Sequence, residues 1–362
     1  MITVVYSFNK KGYEAEYWAR EIAAASNEDV RFVPFNHDPY LPVSSYLRAQ
    51  LLDNLWFDKH PGLLRMYRDL ERMMAESRAD ALVVDTCPPY HPEYLRTLDA
   101  YKVLRVADGP ISAYDRDLAY LHAYDHILYH SPAYSPELDM PGKLRYCRAD
   151  RITFWPHAVF DSAFDTRKTE DELFAQPRDL DIVFIGAMHL NKMPLLAKVK
   201  KEFGRRCAMH GLTSLKRNLY FNAKFGMPGW ISPVPFSAYV PLYQSAKIGF
   251  NVHNRGDYTV GGYRLFDLPA NGVMQISDGG RHLSAFFEPG REIVGYRDVD
   301  DLIAKLAHYL DHPEEREEIA REGYRRAMRD HRFPHRMRQL GALIERGLTE
   351  RNAAAKGEGR PA

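Results

Sequence analysis

The sequence predicts an α/β protein built from two doubly wound, parallel-sheet domains. Three observations predict it. The chain has 362 residues, too many for one ordinary core. Short apolar, β-rich runs alternate with helical patterns from the first residue onward. A polar, acidic break falls near mid-chain, and a second series of the same kind begins after it. Two domains of similar size imply a cleft facing both.

In the first series, the strand-like runs are 3–8, 30–35, 81–84, 103–106, 127–129 and 144–147. Between them, 12–25 has the 3.6-residue period, with Tyr17, Trp18, Ile22 and Ala25 on one side, and 61–76 repeats it with Leu63, Leu64, Tyr67, Leu70 and Met74. The segment 161–180, with its Gln176-Pro177-Arg178-Asp179 break, reads as the interdomain linker. Beyond it, 181–186 is a buried strand ending at Gly186 and 194–203 is a helix. Further strands are expected at 248–252, 273–277 and 292–294, and terminal helices at 299–310 and 313–329. The expected organisation is a first domain at 1–160, the linker at 161–180, a second domain at 181–330, a helix at 331–348 packing back on the first domain, and a flexible tail at 349–362.

Composition narrows the function classes. Hydrophobic residues make up 45% and charged residues 27%, so the chain can fill two cores. Lys plus Arg number 49 against 48 Asp plus Glu, which argues against a nucleic-acid coat. Cys87, Cys147 and Cys207 are widely spaced with no metal-ligand pattern, which fits a reducing cytoplasm. The start has no basic, cleavable leader pattern, and no apolar run approaches a membrane span.

The chemistry concentrates in one block. The strand at 248–252 leads to Gly261-Gly262-Tyr263-Arg264, and the chain then enters a helix carrying Arg264 and Asp267. Backbone amides at a helix start attract anions, and adjacent glycines let a pyrophosphate approach the backbone. Arg264 adds a charge-assisted bond, and Asp267, one turn on, presents a carboxylate to ribose hydroxyls. The plainer readings are a tight turn at Gly261-Gly262 and a helix-dipole role for Asp267.

The ordered series Leu-Tyr-x-x-Ala-Lys-Ile-x-x-Asn-x-His from Leu242, Arg264-x-Phe-Asp-x-x-Ala-x-Gly272, and Phe287-Glu288-Pro289-Gly290-Arg291-Glu292 resembles the C-terminal domain of CgeB-like (spore maturation protein) glycosyltransferases, relatives of the retaining family 4 class. The resemblance spans 242–336 and is weaker at Asp108-Gly109-Pro110, 124–127 and 156–161. It implies a GT-B architecture, two Rossmann-like domains facing a central cleft. It also implies a UDP-, GDP- or TDP-sugar donor on the second domain, an acceptor on the first, retention at the anomeric carbon, and no cofactor or obligatory metal. This chain departs from the pattern in three places: Asp267 replaces a Glu, Thr259 stands where an earlier Glu is common, and Ala187 replaces the Arg that follows Gly186. Lys192 falls on the family's Lys position and is the second phosphate candidate; an ordinary surface lysine is the alternative.

Further donor-side candidates are His210, Gly211, His253 and Tyr263; turn or strand-end roles are the alternatives for the histidines. His157 and Asp108 are the catalytic candidates, both expected on the first domain. Asp108 ends a parallel strand at its carboxyl edge, and an Asx-turn is its alternative. The basic run Lys198, Lys200, Lys201, Arg205 and Arg206 is read as a solvated face, not a membrane contact. Two rival functions remain beside a glycosyltransferase: a sugar-nucleotide epimerase-like enzyme of the same fold, and a degenerate binding protein.

Overall fold

A computed structural model describes residues 1–40, 59–85, 90–106, 121–131, 151–253 and 260–358. Asp108, Thr259, Cys87, Cys147 and the run at 144–147 lie outside the described residues. The chain divides into two compact units, Met1–Pro156 with Phe333–Ala362, and His157–Arg332.

The first unit holds β1 (Ile2–Phe8), α1 (Gly12–Ala24), β2 (Val30–Asn36), α2 (Pro61–Ser77), β3 (Ala81–Asp85), α3 (Pro92–Thr97), β4 (Tyr101–Val106), β5 (His126–Tyr129) and β6 (Ile152–Phe154). These strands form one parallel sheet in the order β2-β1-β3-β4-β5-β6. Val4, Val5, Leu82, Val83, Val103 and Leu128 are fully buried, so the central strands read as unbroken apolar runs, as parallel strands covered on both faces must. Two helices start by the same device. His60 and His91 turn their Nδ1 atoms onto free amides of the first turn, while Pro61 and Pro92 occupy positions that need no amide donor. In the sheet, Asp85 accepts from Arg105 Nη1 at 2.7 Å and from the Tyr6 hydroxyl at 3.0 Å, and the Arg105 guanidinium lies 5.1 Å from the Trp155 ring centre.

The second unit holds α4 (Glu170–Phe174), β7 (Leu180–Ile185), α5 (Met193–Phe203), β8 (Cys207–His210), α6 (Leu215–Phe225), α7 (Tyr239–Gln244), β9 (Ala246–Asn251), α8 (Arg264–Ala270), β10 (Met274–Ser277), β11 (Val294–Gly295), α9 (Val299–Asp311) and α10 (Pro313–Asp330). Its strands are all parallel, in the order β11-β10-β9-β7-β8. The closing helix α11 (Phe333–Glu358) belongs to the first unit. It approaches the first sheet closely through two glycines: a Cβ at Gly347 would stand 2.2 Å from Tyr101, and one at Gly341 2.8 Å from Val30.

The structure differs from the sequence expectation at the boundaries. Segment 161–180 is folded into the second unit: Thr169 and Glu172 form a capping box for α4, Leu173 is buried, and Arg178 donates to the carbonyls of Ala246 at 2.7 Å and Asn271 at 3.0 Å. The expected tail at 349–362 is helical as far as Glu358. Among the described residues, no helix is long and apolar enough to cross a membrane. Cys207 is buried, and burial pushes its thiol up to about 12, so it is an inert core residue.

The Arg105–Asp85 pair is almost wholly buried, with side chains 3% and 2% exposed. Asp85→Ala leaves an uncompensated buried cation and should lower the first unit's unfolding free energy by about 3–5 kcal/mol. Urea denaturation followed by Trp155 emission checks this.

Candidate functional site

In a doubly wound sheet, ligands bind outside the carboxyl ends of the strands where the chain reverses its direction of winding. In the second unit that point lies between β7 and β9, because the chain moves outward from β7 to β8 and then returns to β9 on the other side. Arg264 lies across it. Its Nε donates to the Ile185 carbonyl at 2.5 Å, its Nη1 is 3.5 Å from Asn251 Oδ1, and its guanidinium sits over the Phe184 ring at 4.5 Å. Gly186 makes the room: a Cβ there would meet Arg264 Nη2 at 1.8 Å. Gly249 does the same for the helix carrying Arg264, since a Cβ on β9 would stand 2.4 Å from Leu268 of α8.

A buried polar chain orients the arginine. Pro269 cannot donate to the Leu265 carbonyl, four residues back, so Gln275 Nε2 supplies that bond at 3.0 Å. The Gln275 Oε1 in turn accepts from Asn251 Nδ2 at 3.0 Å, which points the Asn251 oxygen toward Arg264. Gln275 and Asn251 are 1% and 2% exposed, so each bond is made where an unmade one is costly.

Lys192 sits at the amino end of α5 with 4% of its surface exposed. Burial, together with the nearby Arg264 charge, lowers its pKa to about 7, while Asp278 acts in the opposite sense. Among the described residues, neither Lys192 nor Arg264 has a carboxylate within ion-pair distance. Asp278, which follows β10 directly, accepts instead from the His253 amide at 2.8 Å and pairs with His253 Nδ1 at 2.5 Å. Two buried like charges held together without a close counter-ion, beside a helix amino end, make a site for an anion. Asp267 is raised to about 7 by burial, against the pull of Arg264, and the Tyr243 hydroxyl is raised by burial and by Asp267.

The remaining sequence candidates fall around this edge. The Gly186 N–H donates to the His210 carbonyl at 2.9 Å, and a Cβ at Gly211 would meet the Gly186 oxygen at 2.2 Å, so the ends of β7 and β8 touch. His210 Nδ1 is buried without a hydrogen-bond partner among the described residues. Gly261 has φ 108°, open to glycine, and a Cβ at Gly262 would meet nothing within 4 Å. Tyr263 stacks on His157, ring centres 4.2 Å apart. That corrects the expected placement of His157: it opens the second unit and does not belong to the first. The reason is local pairing, because Val159 N donates to the His331 carbonyl at 2.9 Å and Arg332 makes a two-bond pair with Asp161. Asp108, the other catalytic candidate, lies outside the described residues.

The sequence candidates omit Asn251, Gln275 and Asp278. Asp278 carried a usable signal, a carboxylate directly after a strand with two glycines behind it, and Asn251 is a fixed position of the series from Leu242; Gln275 carried none. In the first unit the corresponding reversal lies between β1 and β3. There Ser7 Oγ bonds His37 Nδ1 at 2.8 Å and the Tyr90 hydroxyl at 2.6 Å, and burial lowers the His37 pKa to about 3, keeping the ring neutral. Among the described residues, His37 Nε2 has no hydrogen-bond partner.

Residues 193–342 match a protein-family model described as glycosyl transferase-like. Among curated proteins, none matches the chain significantly. Among solved structures, the chain is similar to sucrose-phosphate synthase from Thermosynechococcus elongatus, with 12% identity over 96% of this chain and 99% of that one and a TM-score of 0.65. It is also similar to HepE from Anabaena in complex with UDP-glucose, with 9% identity, 98% and 100% coverage and a TM-score of 0.62. The fold is that of GT-B glycosyltransferases. A putative UDP-N-acetylglucosamine 2-epimerase from Listeria monocytogenes has a similar structure, with 12% identity, 96% and 97% coverage and a TM-score of 0.58. At these identities the likeness concerns the GT-B fold, and the chemistry must be argued from the site.

The site predicts its own titration. Raising the pH through about 7 removes the Lys192 charge and adds one on Asp267, so both changes weaken anion binding. Calorimetry with inorganic pyrophosphate should show affinity falling across that range in the wild type and a flatter profile in Lys192→Met. Arg264→Ala should cost about 1.5–3 kcal/mol, the worth of a charged hydrogen bond. Gly186→Ala should weaken binding by displacing the same guanidinium; unchanged affinity in both folded variants would remove the assignment.

Proposed function

We propose that the chain is a glycosyltransferase that moves a sugar from a nucleotide-diphosphate-sugar donor to an acceptor hydroxyl. The observation that carries this reading is the Lys192–Arg264 pair at the reversal point of a Rossmann-like sheet, beside the amino end of α5. In the reaction the bond from the anomeric carbon to the diphosphate oxygen breaks, and charge builds on that oxygen. Two fixed cations in a partly dry site stabilise the charge without reorganising. The amides beside Gly261 and Gly262 complete the diphosphate contact in this reading. Asp267 takes the ribose, the unpartnered His210 Nδ1 with Gly211 faces the base, and His253, held by Asp278, faces the sugar.

His157 and Tyr263, stacked on each other, form one wall of the donor site in this reading, and Asp108 serves the acceptor side. A UDP, GDP or TDP donor, retention, a CgeB-like kinship and turnover without metal are the finer parts of the proposal. The solved HepE complex with UDP-glucose supports a uridine nucleotide first. Metal independence follows from the cations, which take the place a divalent ion would have at the leaving group. A sugar-nucleotide epimerase is the second reading, favoured by the structure from Listeria monocytogenes.

A panel of UDP-, GDP- and TDP-sugars separates these readings. A transferase releases nucleoside diphosphate with acceptor and slowly without it, whereas an epimerase returns an altered nucleotide sugar and needs no acceptor. Lys192→Ala and Arg264→Ala should each lower kcat/KM by at least about tenfold, since 1.4 kcal/mol corresponds to that factor. Turnover should persist in excess chelator; activity that disappears there and returns only with manganese or magnesium would contradict the proposed leaving-group chemistry.

A further inference from the structure

Apart from Met1 at the chain start, every exposed large apolar side chain among the described residues lies between positions 190 and 230. Leu212 is 78% exposed, Leu215 66%, Trp230 60%, Leu219 55%, Leu190 51% and Tyr220 41%. Single exposed leucines need no explanation, but a cluster that includes a tryptophan does. The cluster surrounds α6, which follows the edge strand β8. This helix buries Asn218 and Phe221 and turns Leu215 and Leu219, one turn apart, outward.

The apolar residues are held, not loose. Asn218 makes a reciprocal amide pair with the Ile231 backbone, 2.9 and 3.0 Å, and Asn222 Nδ2 donates to the Gly229 carbonyl at 3.1 Å. Trp230 is therefore held between two neighbours that are both anchored to α6. Arg217 Nη2 donates to the Met188 carbonyl at 2.6 Å, tying the loop that carries Leu190 to the same helix.

Charge identifies the occupant. The whole chain is balanced, yet residues 182–253 contain ten Lys and Arg against Glu202 alone. Several cations of the basic run are occupied: Lys198 pairs with Asp300, Arg206 with Asp181, and Lys200 binds the carbonyls of Gly204 and Cys207. Lys201, Lys216 and Lys224 make no ion pair among the described residues, and Lys224 lies over the Tyr220 ring at 5.3 Å. Rigid Leu, Trp and Tyr side chains bordered by unpaired lysines, with no acidic residue between Glu202 and His253, match a surface whose interior is hydrocarbon and whose face is negative. A protein partner would need an apolar patch rimmed by carboxylates; an anionic bilayer presents both features everywhere, and the lysine stems reach past the inserted side chains to its headgroups.

We propose that the outward face of α6, with Leu190, Leu212 and Trp230, docks the protein peripherally on an anionic lipid bilayer. The proposal is independent of the nucleotide reading, because no nucleotide takes part in it. The full chain is sedimented with phosphatidylcholine vesicles, with and without phosphatidylglycerol. Binding to the anionic vesicles should exceed binding to phosphatidylcholine alone by at least about tenfold, and should weaken as salt screens the lysines. Leu219→Ser/Trp230→Ser and Lys216→Glu/Lys224→Glu, all at exposed positions and checked for folding by circular dichroism, should each lose most of it. Trp230 emission should shift to shorter wavelength on vesicle addition. A chain that stays in the supernatant with anionic vesicles overturns the proposal. So does an apolar double variant that sediments like the wild type, because attraction by charge alone is not docking through this face.

Discussion

The placement of one guanidinium governs the second unit. Arg264 crosses the gap between the carboxyl ends of β7 and β9, and everything around it is arranged to let it lie there: no side chain at Gly186, none at Gly249 under the helix that carries it, and the Asn251 oxygen aimed at it. The aim of Asn251 depends on Gln275, and Gln275 is itself committed to a carbonyl that Pro269 leaves open. A proline that spoils a helical bond thus becomes the reason for a polar chain across two strands. Replacing Pro269 would restore a helical N–H donor that competes with Gln275 Nε2 for the Leu265 carbonyl, which is why the irregularity belongs with the polar chain and is not a defect of the helix.

Much of this was legible in the sequence, and the reason is periodicity. The strand runs at 3–8, 30–35, 81–84 and 248–252 fall within two residues of Ile2–Phe8, Val30–Asn36, Ala81–Asp85 and Ala246–Asn251, because parallel strands buried on both faces advertise themselves as unbroken apolar runs. Arg264 stood out as a candidate through the glycine pair before its helix, and Lys192 through the family resemblance that places a Lys six residues after Gly186. The bond chain through Asn251 and Gln275 was not found, since it joins residues 24 apart on separate strands and leaves no local trace. Segment 161–180 looked like a linker because its polar residues are caps and ion partners, with Leu173 supplying most of its burial.

The helix α6 was missed for a different reason. Its inward residues Asn218 and Phe221 are separated by outward Leu219 and Tyr220, so no apolar stripe stands out against a polar face. A helix whose exposed side is as apolar as its buried one fails the usual amphipathic test when its outer face has another surface to meet. The failure of the pattern is therefore informative about function in the same way as Gly186 is: both break a local rule at a place where something outside the core must fit.

Lys192 and Arg264 are drawn together in surroundings that lower the pKa of both, and the nearby Asp278 is largely engaged by His253. Folding therefore works against both the desolvation of Lys192 and the repulsion between the two cations, and the intact sheet and the Asn251 bond hold the arrangement regardless. The diphosphate of the proposed donor would relieve that cost, and part of its binding energy would then come from the protein and not from new contacts. Lys192 stands at the amino end of α5 and Arg264 in the first turn of α8, so the two cations are carried by different helices. Gly186, which has no side chain, keeps β7 in direct contact with the guanidinium.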